Sequence, residues 1–174
     1  MSKALDRLKK GNEYFVEKEK LNGDFSKEVR QANANGQKPF AVVLTCSDSR
    51  VIPEAIFNQG IGELFVIRVA GNVVGESEKG SIEYAVDHLK TKTVVVLGHT
   101  NCGAIGATIK GETHGAVGKI TKRISKAIGD EKQESIACKL NVLFGVKRIK
   151  RAFPAVEVVG GIYDIVSGKV EFLK

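Results

Sequence analysis

Phe40-Ala41-Val42-Val43-Leu44-Thr45 and, further along, Thr93-Val94-Val95-Val96-Leu97 decide the fold. Each is a strand-length apolar run rich in β-branched residues, with no polar residue at alternate positions. That pattern fits a strand buried on both faces, as in a parallel sheet. Leu64 to Val69 reads the same way, as does Val156 to Val159 before Gly160-Gly161. Between these runs, Ser81 to Lys90 places Ile82, Ala85, Val86 and Leu89 on one helical face, and Ile136 to Ile149 places Ile136, Leu140, Leu143 and Ile149 similarly. Alternating strands and helices predict an α/β fold: a central four-stranded parallel sheet with helices on both faces. Lys169 to Leu173, after the turn Val166-Ser167-Gly168-Lys169, predicts an antiparallel strand added at one edge. Two amphipathic stretches, Ala4 to Lys18 and Ser26 to Asn35, precede the first strand and have no strand of their own to cover. They are expected to lie on a partner subunit. The whole chain, 1–174, reads as one domain, with a helical arm over 1–36 and an α/β core over 37–174.

Composition narrows the class. A chain of 174 residues that is 43% hydrophobic buries a core without staples. No apolar run approaches the roughly 18 residues of a membrane span, and the first ten residues are charged and amphipathic, unlike a signal peptide. A cytoplasmic protein with no membrane partner is expected. Three cysteines, an odd number, argue against a disulfide framework and leave thiols for metal binding or catalysis. Lys119 to Arg151 carries ten Lys/Arg against three Asp/Glu, within a net charge of +7. Its charges recur at helical spacing and it holds one aromatic, Phe144, so it reads as a solvated helix face and no nucleic-acid partner is expected.

Open α/β sheets bind ligands at the carboxyl ends of their strands. Here two ends carry chemistry: Cys46-Ser47-Asp48-Ser49-Arg50 after the first run, and Gly98-His99-Thr100-Asn101-Cys102-Gly103 after the third. A single cysteine or histidine at such a place is usually packing. A cysteine ending one strand together with His-x-x-Cys opening a helix makes a ligand set instead. Cys46, His99 and Cys102 form a three-ligand site with a vacant fourth position, as in catalytic zinc, and their sulfurs favour zinc over magnesium or calcium. Cys138, between Ile136 and Leu140 with no His or Cys near it in sequence, reads as core. The non-enzyme alternative, a zinc-stabilised nucleic-acid-binding domain, needs a closed site, and no second His-x-x-Cys or Cys-x-x-Cys supplies a fourth ligand.

These paired motifs resemble the signature of β-class carbonic anhydrases. The resemblance extends through Gly62-Glu63-Leu64-Phe65-Val66-Ile67-Arg68, Ala70-Gly71-Asn72, Ser81-Ile82-Glu83-Tyr84-Ala85-Val86 and Gly160-Gly161-Ile162-Tyr163-Asp164, so it covers most of the chain from Gln37 onward. The segment between Cys102 and Ile136 departs from it by being shorter than in many relatives, which bears on assembly beyond a dimer.

The resemblance implies reversible hydration of carbon dioxide to bicarbonate and a proton, with one zinc per chain. Zinc would lower the pKa of a bound water so that hydroxide is available to attack carbon dioxide. Two thiolates make the metal a weaker acid, so activity should rise toward alkaline pH. Asp48 would accept the hydroxide's hydrogen bond and Arg50 would hold that carboxylate bidentately. The resemblance also implies a homodimer, or a higher assembly of dimers, in which Gln37, Phe65 and Tyr84 line the substrate pocket, the two aromatics coming from the neighbouring subunit. His88 matches a position proposed for proton shuttling in plant-like members. A sibling activity, hydrolysis of carbonyl sulfide or carbon disulfide, would use the same scaffold. Closed members of the family swing the aspartate onto the metal and carry a tryptophan three residues before the first cysteine, together with a C-terminal tyrosine. Here the tryptophan position is Val43, while Tyr163 is present and Gln37 matches open, plant-like members. The open type, with Asp48 paired to Arg50, is therefore expected.

Overall fold

The computed structural model describes residues 2–18 and 20–173. The apolar runs form β1 (Ala41–Thr45), β2 (Leu64–Arg68), β3 (Thr93–His99) and β4 (Glu157–Tyr163), with β5 at Val170–Leu173. They make one sheet in the order β2-β1-β3-β4-β5. The first four strands are parallel and β5 runs antiparallel to β4. Every residue of β1 and β3 is buried, as their unbroken apolar character requires. The helices are α1 (Lys3–Lys18), α2 (Lys27–Ala32), α3 (Pro53–Ile56), α4 (Glu76–Asp87), α5 (Gly103–Ile109), α6 (Val117–Ile128) and α7 (Glu134–Ala152), with a 3-10 turn at Ala70–Asn72.

From β1 the chain moves out to β2 and then returns to the other side of β1 as β3. This reversal is the topological switch point, where neighbouring crossovers leave on opposite sides and open a crevice at the strand ends. Thr45 stands level with Leu97 and with Arg68, and its hydroxyl donates to the Leu97 carbonyl at 2.9 Å. Cys46 thus leaves β1 close to the level at which β3 reaches His99.

Alternate strand residues feed two apolar layers. Val42, Leu44, Val94 and Val96 pack with Ile82, Ile124, Val142 and Ile149 from α4, α6 and α7. Ala41, Val43, Val95 and Leu97 pack on the other face with Leu8, Ile56, Phe57 and Tyr163. That second layer corrects the expectation for α1. Leu8 is fully buried there. Asn12, also buried, donates through Nδ2 to the carbonyls of Ile56 (3.1 Å) and Gly168 (2.8 Å), and its Oδ1 accepts from the Val170 amide (2.9 Å). The single-turn α3 is too short to cover this face alone, so α1 covers the chain's own sheet. α2, capped by the Ser26 hydroxyl accepting from the Val29 amide at 3.2 Å, buries no residue within the chain.

α7 is rotated from its sequence reading. Ile136 and Leu143 are about 40% exposed, and the buried stripe is Ala137, Cys138, Asn141, Val142, Gly145, Val146 and Ile149. The strands beneath explain the rotation: a Cβ on Gly98 would lie 2.6 Å, and one on Gly160 2.8 Å, from the Val142 methyls. Glycine on the sheet and small residues on the helix permit this close approach, which the larger Ile136 and Leu143 would prevent. The basic residues Lys119, Lys122, Arg123 and Lys126 of α6 are exposed, opposite buried Thr121, Ile124 and Ile128, as an amphipathic surface helix requires.

Candidate metal centre

The ligating atoms of Cys46, His99 and Cys102 lie within 4.8 Å of one another, and all three residues are buried. Cys46 follows β1, His99 ends β3, and Cys102 is the residue on which α5 starts. His99 Nδ1 lies 2.9 Å from the Thr100 carbonyl. A carbonyl only accepts, so Nδ1 carries the proton and Nε2 is left as the free donor atom. That Nε2 is buried with no hydrogen-bond partner, an arrangement that costs about 1–3 kcal/mol unless something binds it.

The two sulfurs cannot both ionise freely in this place. The hydrogen bond from Cys102 pulls the Cys46 thiol down against the opposing effect of burial, with further help from His99 and the Gly71 amide. The resulting thiolate, together with burial, pushes Cys102 up. For His99, burial opposes protonation, but contact with Cys46 and the Thr100 carbonyl gives a net upward shift. A cation among the three atoms would let both sulfurs ionise and would satisfy Nε2. Two thiolates and one imidazole are a zinc donor set, so these residues fit that metal.

Beside the cluster, Asp48 Oδ2 lies 4.0 Å from His99 Nε2. Arg50 grips this carboxylate as a fork, Nε to Oδ1 at 2.9 Å and Nη2 to Oδ2 at 2.7 Å, and the Arg50 amide adds a bond to Oδ1 at 3.0 Å. These contacts hold the Asp48 carboxyl well below the usual carboxylate range. Arg50 Nη2 also reaches the Asn101 carbonyl at 3.1 Å, tying the β1 loop to the β3 loop.

Several supporting groups escaped the sequence reading. Arg68 at the end of β2 donates to the carbonyls of Asp48 (2.7 Å) and Cys46 (3.3 Å). The Gly71 amide donates to Cys46 Sγ at 3.2 Å. Cys138 is core, as expected, yet its thiol donates to the His99 carbonyl at 3.4 Å, so it abuts the site in space although isolated from it in sequence. Burial and the nearby Glu134 carboxylate push this thiol up to about 12, which keeps it protonated and a donor. The one available signal was register: Arg68 is level with Thr45, the residue before Cys46.

The expected substrate-pocket residues lie elsewhere in the chain. Phe65 pairs with Val42, three residues before the end of β2, or roughly 10 Å down the strand. Its ring lies 6.1 Å from that of Tyr84, which stacks on His88 at 5.1 Å and 25°. Tyr84 is 46% exposed and His88 is exposed at the end of α4. Gln37 is exposed ahead of β1, at the end of that strand opposite Cys46. Within one chain these four residues stand apart from the ligand cluster.

The geometry has counterparts. Carbonic anhydrase 2 of Mycobacterium tuberculosis is 48% identical over 106 residues, covering 61% of this chain and 51% of that protein. The carbonic anhydrase of Mycolicibacterium smegmatis is 44% identical over 130 residues, covering 72% and 63%. The matched region thus spans about half to two thirds of the length of these curated relatives. Among solved structures, the β-carbonic anhydrase CcaA superposes with a TM-score of 0.75 at 26% identity, covering 98% of this chain and 95% of its own. The Coccomyxa β-carbonic anhydrase, solved in complex with acetazolamide, gives 0.74 at 29% identity, covering 82% and 75%. The family model described as carbonic anhydrase matches residues 41–170, and the chain belongs to that family, with the architecture of its β class.

Proposed function

We propose that this protein reversibly hydrates carbon dioxide to bicarbonate and a proton, with zinc held by Cys46, His99 and Cys102. The observation that carries the proposal is the unpartnered, buried Nε2 of His99 between two sulfurs and beside an ionised, forked carboxylate. Zinc in such a site supplies a Lewis acid that makes water nucleophilic near neutral pH. Asp48, kept ionised by Arg50, can only accept hydrogen bonds, so it orients the attacking water's proton and leaves an oxygen lone pair for the carbon. Arg50 fixes the carboxylate plane, and its bond to the Asn101 carbonyl keeps both loops in register during turnover. His99 is held in one tautomer by Thr100, so its ligating nitrogen needs no rearrangement.

The same reading assigns the site to the open type, with Asp48 paired to Arg50 at neutral pH. The forked pair supports this, as does Val43 at the position where closed members carry an indole. A homodimer, or an assembly of dimers, completes the pocket: Phe65, Tyr84 and Gln37 are remote from their own cluster, and the partly exposed Phe65–Tyr84–His88 group on edge strand β2 and α4 is presented outward. Tetrameric β-carbonic anhydrases are found in Sordaria macrospora. His88, stacked on Tyr84, then relays the proton to buffer. The free thiols Cys46, Cys102 and Cys138 suit the reducing cytoplasm, and among the described residues no helix is long and apolar enough to cross a membrane. Stopped-flow hydration of carbon dioxide by zinc-loaded protein tests the proposal: catalysis well above buffer supports it. A rate equal to buffer at one zinc per chain rejects it, and assays with carbonyl sulfide and carbon disulfide then decide whether a sibling activity replaces it.

A further inference from the structure

Behind the Cys46–His99–Cys102 cluster, α7 sends one side chain to the end of β3 and another to the 3-10 turn that follows β2. Cys138 donates to the His99 carbonyl at 3.4 Å. Asn141, three residues on and therefore on the same helix face, donates through Nδ2 to the Gly71 carbonyl at 2.8 Å. The amide of that same Gly71 donates to Cys46 Sγ at 3.2 Å. Gly71 stands at φ 67°, ψ 21°, and a Cβ there would lie 2.7 Å from Ile124 Cδ1 and 3.0 Å from Ala104 Cβ. Only glycine holds that conformation in that space without strain. Asn141 is 5% exposed and Gly71 is buried, so water does not compete for either bond.

We propose that Asn141 is a positioning residue for the Cys46 sulfur, acting through Gly71. By fixing the Gly71 carbonyl it holds the left-handed turn in the one orientation that aims the Gly71 amide at Sγ. The proposal rests on the reading of Cys46 as a zinc ligand. An N–H bond to a ligating thiolate draws electron density from the sulfur, restricts its rotamer and strengthens as its surroundings exclude water. Without Asn141 the Gly71 carbonyl is buried unpaired, the turn is free to reorient, and the amide drifts from the sulfur. Packing alone would be served equally by any side chain filling the volume. Positioning needs the Nδ2 donor.

The test compares wild-type protein with Asn141→Leu, which keeps the shape and removes the donor, with Asn141→Ala, and with the α7 packing control Ile149→Val. Two quantities are read in each: the rate of zinc loss to a chelator, and the energy of the sulfur-to-cobalt charge-transfer band in the cobalt(II) form. The proposal expects zinc loss about ten- to a hundredfold faster in both Asn141 variants, the range for outer-shell partners of metal ligands. It also expects a shift of the band to lower energy, with neither change in Ile149→Val. Unchanged zinc loss and an unshifted band in Asn141→Leu overturn it, as does faster zinc loss matched by Ile149→Val. Should neither Asn141 variant fold, cadmium-113-loaded wild type decides: absence of scalar coupling between the Gly71 amide and the metal overturns the proposal. A wild-type protein that binds neither zinc nor cobalt refutes the ligand reading itself, a separate failure.

Discussion

The corner formed by the ends of β1 and β3 and the rim formed by β2 and α4 are built on opposite terms. At the corner every group is buried or braced within the chain: Asp48 is forked by Arg50, Arg68 ties down the backbone, and Gly71, Asn141 and Cys138 close the rear. At the rim, Tyr84 and His88 stack on each other at the surface, with Tyr84 nearly half exposed. The corner is preorganised, which is where electrostatic catalysis draws its advantage. The rim leaves apolar area and aromatic planes partly exposed, the surface that the proposed dimer would cover. In the proposed dimer one chain would carry the metal chemistry and the other would supply the walls.

The sharpest way to break this contrast is at the corner. Cys46→Ala or His99→Ala should abolish stoichiometric zinc and lower hydration by at least about a thousandfold, read by metal analysis and stopped flow. Asp48→Asn should retain zinc yet lower kcat about a hundredfold, the usual scale for losing one preorganised electrostatic group. At the rim, Phe65→Ala or Tyr84→Ala should lower kcat/KM about tenfold, corresponding to roughly 1.4 kcal/mol of lost contact, with zinc unchanged. Mixing inactive Cys46→Ala subunits with Phe65→Ala subunits should recover activity above the average of the two, because one intact site forms in each mixed dimer. No recovery would assign the rim to packing.

Stability separates the regions again. Leu8→Ala should cost about 2–5 kcal/mol and Asn12→Ala about 1–3 kcal/mol in urea unfolding, because α1 is core to its own chain. Single substitutions on α2, which buries nothing, should shift unfolding little. The smallest expected effect is the pH dependence of the Asp48–Arg50 pair. A carboxyl held below its ordinary value near 4 contributes stability that is fully present above that value and lost as pH falls through the lower folded value. The unfolding midpoints of wild type and Asp48→Asn should therefore differ near neutrality and converge in acid. Because Arg50 is half exposed, the difference is modest.

Legibility in the sequence followed locality. β1 and β3 were readable because burial on both faces leaves no polar residue in the run, and the cluster of Cys46, His99 and Cys102 was readable because all three stand next to those runs. The antiparallel β5 was marked by its turn. α1 was misplaced since an amphipathic stripe specifies burial but not which sheet face receives it; the buried Leu8 and Asn12, bonded to residues 56, 168 and 170, fix the answer. The stripe of α7 was misread toward its largest apolar residues, whereas close approach over Gly98 and Gly160 selects the small ones. Gly71 meets Cys46 and Asn141 through its backbone amide and carbonyl, which every residue carries, and Asn141 reaches it from 70 residues away, so no local residue pattern announced the contact. Cys138 meets His99 only in space.

X-ray absorption at the zinc edge of the loaded wild-type protein at neutral pH bears most directly on the central claim. The account predicts two sulfurs at about 2.3 Å and one imidazole nitrogen at about 2.0–2.1 Å. A shell of three or more sulfurs, which would draw Cys138 onto the metal, or a shell without sulfur, would contradict it.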